Sequence, residues 1–472
     1  MYLTATGTTH SGYDAPLIQP VIEVVIQAET ESAAMLAVLP LRWLDRIKHG
    51  GLANQFFMAL MGCERLSLAI TDRNFGNARF VQTSMTFNCI SWVITLISLR
   101  PWALIASRAV AGLACAGCYV VTPLYLKEIA SDNVRGALGS LFILSQNLGY
   151  LVVYVAGDVL SFTAVMWLCT AVPVIHMIAF LAMPETPVFL VKQGKFKEAR
   201  AALAWLRNTS VEDKNLEEAV QQLEREEEVA KSMKKASWKS LVQNKTTFKA
   251  FRISLNVMLS QETCGYLVVL MYAGSIFEQA SESISLKLSP NKQTIVVGVI
   301  QLLGSIVASC IVEKTGRKWL LASTSFMTGL SMLALGAWFY VTSLSVWLPG
   351  WLPVLAMCLC IFADAAGYQP VPYVITSELF SFQHRGMVTS FVSSVDALSD
   401  FLQTKAYDPL LKLLGIHWVF IMFSMVCFLG TFYTVLYVPE TKDRTIEEIY
   451  AILERKKEKR KDPEAGKQTS RL

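Results

Sequence analysis

Pro123-Leu124-Tyr125-Leu126-Lys127-Glu128-Ile129-Ala130-Ser131-Asp132-Asn133-Val134-Arg135-Gly136 joins two long apolar runs. It returns as Pro372-Tyr373-Val374-Ile375-Thr376-Ser377-Glu378-Leu379-Phe380-Ser381-Phe382-Gln383-His384-Arg385-Gly386, with Glu128, Arg135 and Gly136 each repeated 250 positions later. Pro184-Glu185-Thr186 likewise returns as Pro439-Glu440-Thr441, 255 positions on. A fainter echo links Asp72-Arg73, Gly76 and Arg79 to Glu313-Lys314-Thr315-Gly316-Arg317-Lys318. Echoes in one order at nearly one period make the chain two related halves. In an apolar chain that is the mark of transporters built from internal repeats.

The 472 residues are 53% hydrophobic and 17% charged, with a mean hydropathy of +0.42. Soluble proteins carry roughly a quarter charged residues. Here the charges concentrate in a few polar stretches, separated by apolar runs of about 20 residues, enough to cross about 30 Å of hydrocarbon. The net charge of +5 therefore belongs to loops, and nucleic acid is not an expected partner; the lipid bilayer is. The ten cysteines lie singly or in close pairs within or beside apolar runs. A metal at Cys115-Ala116-Gly117-Cys118 would need two more ligands, so small apolar packing residues are the simpler reading. No nucleophile–base or metal constellation stands out, so neither enzyme activity nor a cofactor is expected. No cleavable signal peptide is legible, and multi-span proteins do not need one.

The pattern predicts an all-α membrane protein of about 12 transmembrane helices. Residues 1–27 read as a first span. Residues 28–51 are a polar connector holding Arg42, Asp45, Arg46 and Lys48. Residues 52–71 form a weak second span, interrupted by Glu64 and Arg65. Further spans are expected at 80–99, 102–126, 137–157 and 161–183. Six more follow at 253–277, 292–312, 319–342, 351–376, 386–407 and 417–438. Residues 1–183 would be one six-helix half, with 1–71 atypical, and 251–438 the other. Residues 184–250 would form a helical linker, with helical periodicity from Phe196 to Leu206, and 439–472 a tail. That tail opens on Thr445-Ile446-Glu447-Glu448, the spacing of a capping box. Lys234, Lys235, Arg455, Lys456, Lys457, Lys459 and Arg460 concentrate basic charge in linker and tail. The positive-inside rule then puts both, and both termini, in the cytoplasm. The sequons at Asn208 and Asn244 would stay unglycosylated there.

Glu128 with Arg135, and Glu378 with Arg385, fall at the predicted linker-side ends of spans four and ten. A carboxylate and a guanidinium at such a rim can bridge neighbouring helices and part when the halves separate; the plainer reading is charges snorkelling to the interface.

These motifs resemble the sugar-porter branch of the major facilitator superfamily, and within it the facilitated trehalose transporters of insects. The resemblance rests on Arg108 with Gly112; Pro123, Tyr125, Glu128 and Arg135-Gly136; and Pro184-Glu185-Thr186-Pro187. In the second half it rests on Gln261 with Gly265; Gly316-Arg317; Gly367, Pro370 and Pro372-Tyr373; Glu378 with Arg385-Gly386; and Pro439-Glu440-Thr441-Lys442. It covers roughly residues 72–452, and implies a sugar site at mid-membrane and rocking of the halves in alternating access. It also implies gating or structural roles for Asp72, Arg79, Glu128, Arg135, Glu185, Arg317, Glu378, Arg385 and Glu440. The chain departs from the family at several points. Its first two spans match only faintly. Leu267 and Ile143 stand where relatives carry Asn and Gln, Glu262 stands for the second Gln of span seven, and Asp396 and Asp400 stand at positions usually Asn.

A sugar site needs fixed donors and acceptors around ring hydroxyls, and an aromatic face. The candidates are Gln146, Asn147, Gln261, Glu262, Tyr272, Gln301, Tyr368, Gln369 and Asp400, each of which could instead serve an interhelical hydrogen bond. Asp14, in Gly12-Tyr13-Asp14, resembles a residue that faces the span-four Arg, here Arg108, in proton-coupled symporters. The expected function is facilitated transport of a small sugar, trehalose or a hexose, by a monomer in the plasma membrane. The alternatives are a proton-coupled sugar symporter and a transport-defective sugar-binding receptor.

Overall fold

The computed structural model describes residues 77–129, 135–232, 238–270 and 290–461, except residues 208, 211, 347, 381 and 443. The first two expected spans lie outside the described residues, as do Asp14, Asp72 and Tyr272. Arg79 and Arg135 belong to described helices, but their side chains lie outside the description.

The description is helical, as the long apolar runs require: in hydrocarbon every backbone N–H and C=O must be satisfied within the segment. In the first half α1 (Asn77–Ile97), α2 (Pro101–Ile129), α3 (Arg135–Val159) and α4 (Phe162–Phe180) follow one another. Short helices α5 (Pro187–Lys192), α6 (Phe196–Arg207), α7 (Lys214–Ser232) and α8 (Trp238–Gln243) make up the linker region. The second half holds α9 (Lys245–Glu262), α10 (Pro290–Thr315), α11 (Arg317–Ser343) and α12 (Trp351–Ala363). A π-helical turn, Asp364–Tyr368, runs on into α13 (Pro370–Leu379). Then come α14 (Phe382–Leu414), α15 (Ile416–Tyr437) and the tail helix α16 (Ile446–Lys461). Among the described residues seven helical stretches are long and apolar enough to cross a membrane.

Each half has its own core. In the second half Ile253, Met332, Met357, Val392, Phe420 and residues around them form one continuous buried cluster. In the first half Trp92, Ala111, Cys115, Val153 and Cys169 form another, and Ala397 of α14 reaches across to join it. The halves also meet where α3 packs along α10. The linker helices keep a small separate core of Leu190, Val191, Ala202, Leu203, Leu216 and Val220. The outer surfaces of the bundles carry Ile90, Ile175, Leu303, Leu330, Met425 and Leu429 exposed, which only a hydrocarbon surround makes favourable. Trp102, Trp351 and Trp418 are more than half exposed at the starts of α2, α12 and α15, and Trp319 at the start of α11. Tryptophans at helix ends are the usual membrane-interface anchors.

The tail carries the expected capping box. The Thr445 hydroxyl accepts from Glu448 N at 3.3 Å, and Glu448 Oε2 accepts from Thr445 N at 3.3 Å. The tail helix is then tied to α9: Lys249 Nζ donates to the Leu453 carbonyl at 2.5 Å, and the Thr246 hydroxyl to Glu454 at 2.8 Å.

Candidate functional site

Two interruptions in otherwise regular helices build the middle of the second half. The first follows α9. Thr263 ends the helix, Gly265 takes a φ of +87°, and helix resumes at 266–270. Only glycine fits here: the φ is left-handed, and a Cβ would fall inside the ring of Phe423 on α15. The break leaves backbone groups open, and Gln403 of α14 satisfies two of them. Its amide nitrogen donates to the Glu262 carbonyl at 2.7 Å, and its oxygen accepts from Gly265 N at 2.9 Å. The second interruption is the π-helical turn. Gly367 and the prolines at 370 and 372 favour it, since each proline removes a backbone donor. Gly304 of α10 lies against this turn so closely that a Cβ would meet the Phe362 carbonyl at 2.8 Å.

The polar candidates gather around these breaks. Gln301 of α10 donates to Asn147 Oδ1 of α3 at 2.8 Å and to the Tyr266 hydroxyl at 2.9 Å. The Asn147 amide donates to Ser305, so both halves share one buried polar knot. Gln146, one residue earlier, donates to the Tyr150 hydroxyl at 3.1 Å. Tyr368 and Ser260 bond through their hydroxyls at 2.9 Å and tie the π turn to α9. Among the described residues, Gln261 at 4% exposure, Gln301 at 0% and Gln369 each keep a side-chain carbonyl without a donor. A buried unpaired acceptor costs about 1–3 kcal/mol, so a hydroxyl-bearing guest is what such carbonyls suit. Glu262, at the end of α9, lies near Asp396 and Asp400 of α14. The Tyr373 hydroxyl donates to Asp396 at 3.0 Å. Asp364 is fully buried in the π turn, and neither of its carboxylate oxygens has a hydrogen-bond partner. Leu267 is half-buried in the helix resumed after the break.

At the linker-side rim Glu378 of α13 pairs with Arg317 of α11, at 3.1 Å to Nη2 and 3.2 Å to Nε. The Thr441 hydroxyl donates to the other Glu378 oxygen at 2.5 Å. Glu440 caps α11 by accepting from Arg317 N at 2.9 Å and Lys318 N at 3.3 Å. Gly316, at φ +83°, lets it approach, since a Cβ there would sit 2.7 Å from Glu440 Oε2. Arg385 donates from Nε to the Phe380 carbonyl at 3.3 Å. In the first half Glu185 accepts from Thr186 N at 3.1 Å, as Glu440 does from Thr441 N at 3.1 Å. The repeated Glu-Thr dipeptide thus makes the same local bond twice. The Tyr125 hydroxyl donates to the Pro184 carbonyl at 3.1 Å, while Glu128 is half-buried near the end of α2. Arg108 is almost wholly buried beside Cys115 and Cys169.

Reading the sequence alone missed Gln403 and the Arg317–Glu378 pairing. Gln403 is one helical turn from Asp400 on the same helix, a spacing that could have flagged it. Arg317 and Glu378 are 61 residues apart, and no local pattern joins them.

Known proteins give this geometry a context. The family described as "Sugar (and other) transporter" matches residues 56–453. The facilitated trehalose transporter Tret1 of Drosophila virilis is 29% identical over 404 residues, covering 85% of this chain and 42% of its own length. That of Bombyx mori is 28% identical over 362 residues, covering 76% of this chain and 70% of its own length. The chain thus spans less than half the length of the fly relative. The major facilitator superfamily proton:xylose symporter XylE, bound to 6-bromo-6-deoxy-D-glucose, superposes with a TM-score of 0.74 at 20% identity, covering 93% of this chain and 100% of XylE. An inward-open XylE from E. coli gives 0.73 at 19% identity. The fold is therefore that of the major facilitator superfamily. With the family match running over most of its length, this multi-span chain belongs to the sugar (and other) transporter family, a family of carriers and not of enzymes.

Proposed function

We propose that the chain is a facilitator of a small neutral sugar, trehalose or a hexose, working by alternating access in the plasma membrane with both termini in the cytoplasm. The observations that carry this reading are the orphaned side-chain carbonyls of Gln261 and Gln369, each beside a helix break, and of Gln301 on α10, whose amide reaches Tyr266 just past the first break. Sugar hydroxyls are the donors such acceptors lack. The named activity of the insect relatives supports the sugar class. In this reading the helix breaks hold the solute between the halves, and the Arg317–Glu378–Glu440 cluster steadies the linker-side rim. Asn147 and Gln301 keep the halves in register along α3 and α10. A monomer suffices, because both halves lie in one chain.

The test is uptake of labelled trehalose and glucose into proteoliposomes holding the purified full chain, with and without an imposed pH gradient. Equilibrating uptake that needs no gradient is the expected result. Gradient-dependent accumulation would replace the reading with symport through a site such as Asp14 and Arg108, and binding without flux would replace it with a receptor.

A further inference from the structure

We propose that Gln403 is a positioning residue of the sugar site: its amide holds the α9 break open, and the open break sets where Gln261 and Gln301 present their carbonyls. The inference rests on the sugar reading above and adds a residue of α14 that acts on affinity through others.

In an uninterrupted helix each N–H donates to the carbonyl four residues back. Gly265 N would then donate to the Gln261 backbone carbonyl, and Tyr266 N to that of Glu262. Neither bond forms. The Gln261 backbone carbonyl accepts instead from Cys264 N at 3.3 Å, and Tyr266 N turns to Cys264 Sγ at 3.4 Å. The Gly265 N–H and the Glu262 carbonyl are left over, and Gln403 meets both, at 2.9 and 2.7 Å. One side chain thus supplies a donor and an acceptor on two separate atoms, as an amide does. Without it, these two backbone groups inside the bundle recover partners only by closing the helix. Closure would take Gly265 out of its φ of +87° and re-aim the residues on either side.

Those flanking residues carry the site. Gln261, just before Glu262, is 4% exposed, and its side-chain carbonyl lacks a donor. Tyr266, just after Gly265, accepts at its hydroxyl from Gln301 Nε2 at 2.9 Å. The same nitrogen donates to Asn147 Oδ1 of the first half at 2.8 Å, and the Gln301 carbonyl is the second buried acceptor without a donor. Upstream, the Tyr368 hydroxyl donates to the Ser260 carbonyl at 2.9 Å. The backbone is therefore held at Ser260, just before Gln261, and by Gln403 at Glu262, just after it. An acceptor fixed before the solute arrives spares the ordering cost that a mobile one would draw from binding.

The test is a double-mutant cycle on equilibrium binding of labelled trehalose, and separately of glucose, to the purified full chain in nanodiscs. Gln403→Met keeps the length of the side chain and removes both bonds. Affinity should fall about ten-fold in the parent background. In a Gln261→Leu background the same change should cost about three-fold or less, because one of the two carbonyls it positions is gone. A merely structural role would lower the competent fraction by one factor in either background, and the two losses would multiply. Thermal unfolding of each variant records the folded fraction separately. Gln403→Asn keeps the amide but is one methylene short of spanning both groups. It stands in if Gln403→Met is poorly folded, with the same less-than-multiplicative pattern at smaller size. Losses that multiply, or an unchanged affinity on losing the Gln403 amide, overturn the proposal and leave the sugar reading standing. No binding of either sugar by the parent overturns both.

Discussion

Gln261 is the residue on which the reading of the site turns, because its carbonyl lacks a donor at 4% exposure. Gln261→Leu removes the acceptor and leaves a sugar hydroxyl unpaired in the bound state. The expected loss is about 1–3 kcal/mol, roughly 5- to 150-fold in affinity, read by equilibrium binding at normal surface expression. Gly265 differs in kind, since it is needed for shape alone. Gly265→Ala must hold an L-residue near φ +87° and push a methyl into Phe423. The conformational part alone costs on the order of 1–3 kcal/mol. Thermal unfolding should show a lowered midpoint that Phe423→Ala does not fully restore, because the backbone strain survives it. Neither feature is visible from pattern alone. A glycine inside an apolar run reads as ordinary span, and residues 253–277 read as one uninterrupted helix. Gln261 was legible because its spacing to Gly265 carries the family resemblance. Gln403 was not, because its partners are backbone groups exposed only once the helix breaks.

Helices were the legible scale, since span length and hydropathy are properties of the chain itself. The expected spans at 102–126, 292–312 and 319–342 became α2 (Pro101–Ile129), α10 (Pro290–Thr315) and α11 (Arg317–Ser343). The capping box at Thr445 and the linker helix at Phe196 were legible for the same local reasons. What one element does to another was less so. Helix α8 shows this: Trp238 packs edge-on against Phe391 at 5.0 Å and Phe251 at 6.2 Å, and the Ser240 hydroxyl stands 3.2 Å from His384 Nε2. Burial at this contact holds the His384 imidazole below its ordinary value. The folded contact thus disfavours the charged ring, and its contribution is present above the unfolded value of about 6.5 and lost as pH falls through the depressed one. A spin label at Lys239 should become more mobile as the solution is acidified below about pH 6.5. His384→Gln should remove that dependence. Equal mobility from neutral to acid pH in the parent would mean that the aromatic contacts alone dock α8.

Across the whole molecule the proposed alternating access requires two halves, joined by Asn147, Gln301 and Ser305 at one seam, to part at another. The repeats exposed the halves at once, because a duplicated Glu-Thr dipeptide keeps one local bond as well as its letters. Which charges meet across the rim was hidden, because pairing between distant helices follows packing and not spacing. If Arg385 helps hold the linker-side rim closed, Arg385→Ala shifts the population toward opening there. A cysteine placed at Thr389, about one turn along α14, should then react faster with a membrane-impermeant thiol reagent than in the Arg385 parent. An unchanged rate would make Arg385 a surface anchor. The tryptophans at the helix ends add a constraint of another order. Trp102, Trp351 and Trp418 crown one set of helix starts and Trp319 a different one, and rings of this kind hold their depth at the lipid interface. A half that rocks must drag its anchors through that boundary or bend the bilayer to follow them. Host-membrane thickness then acts as a mechanical load on every turnover. In vesicles graded by acyl-chain length, turnover should peak at one thickness and fall to either side, tuning the carrier to the lipid it lives in.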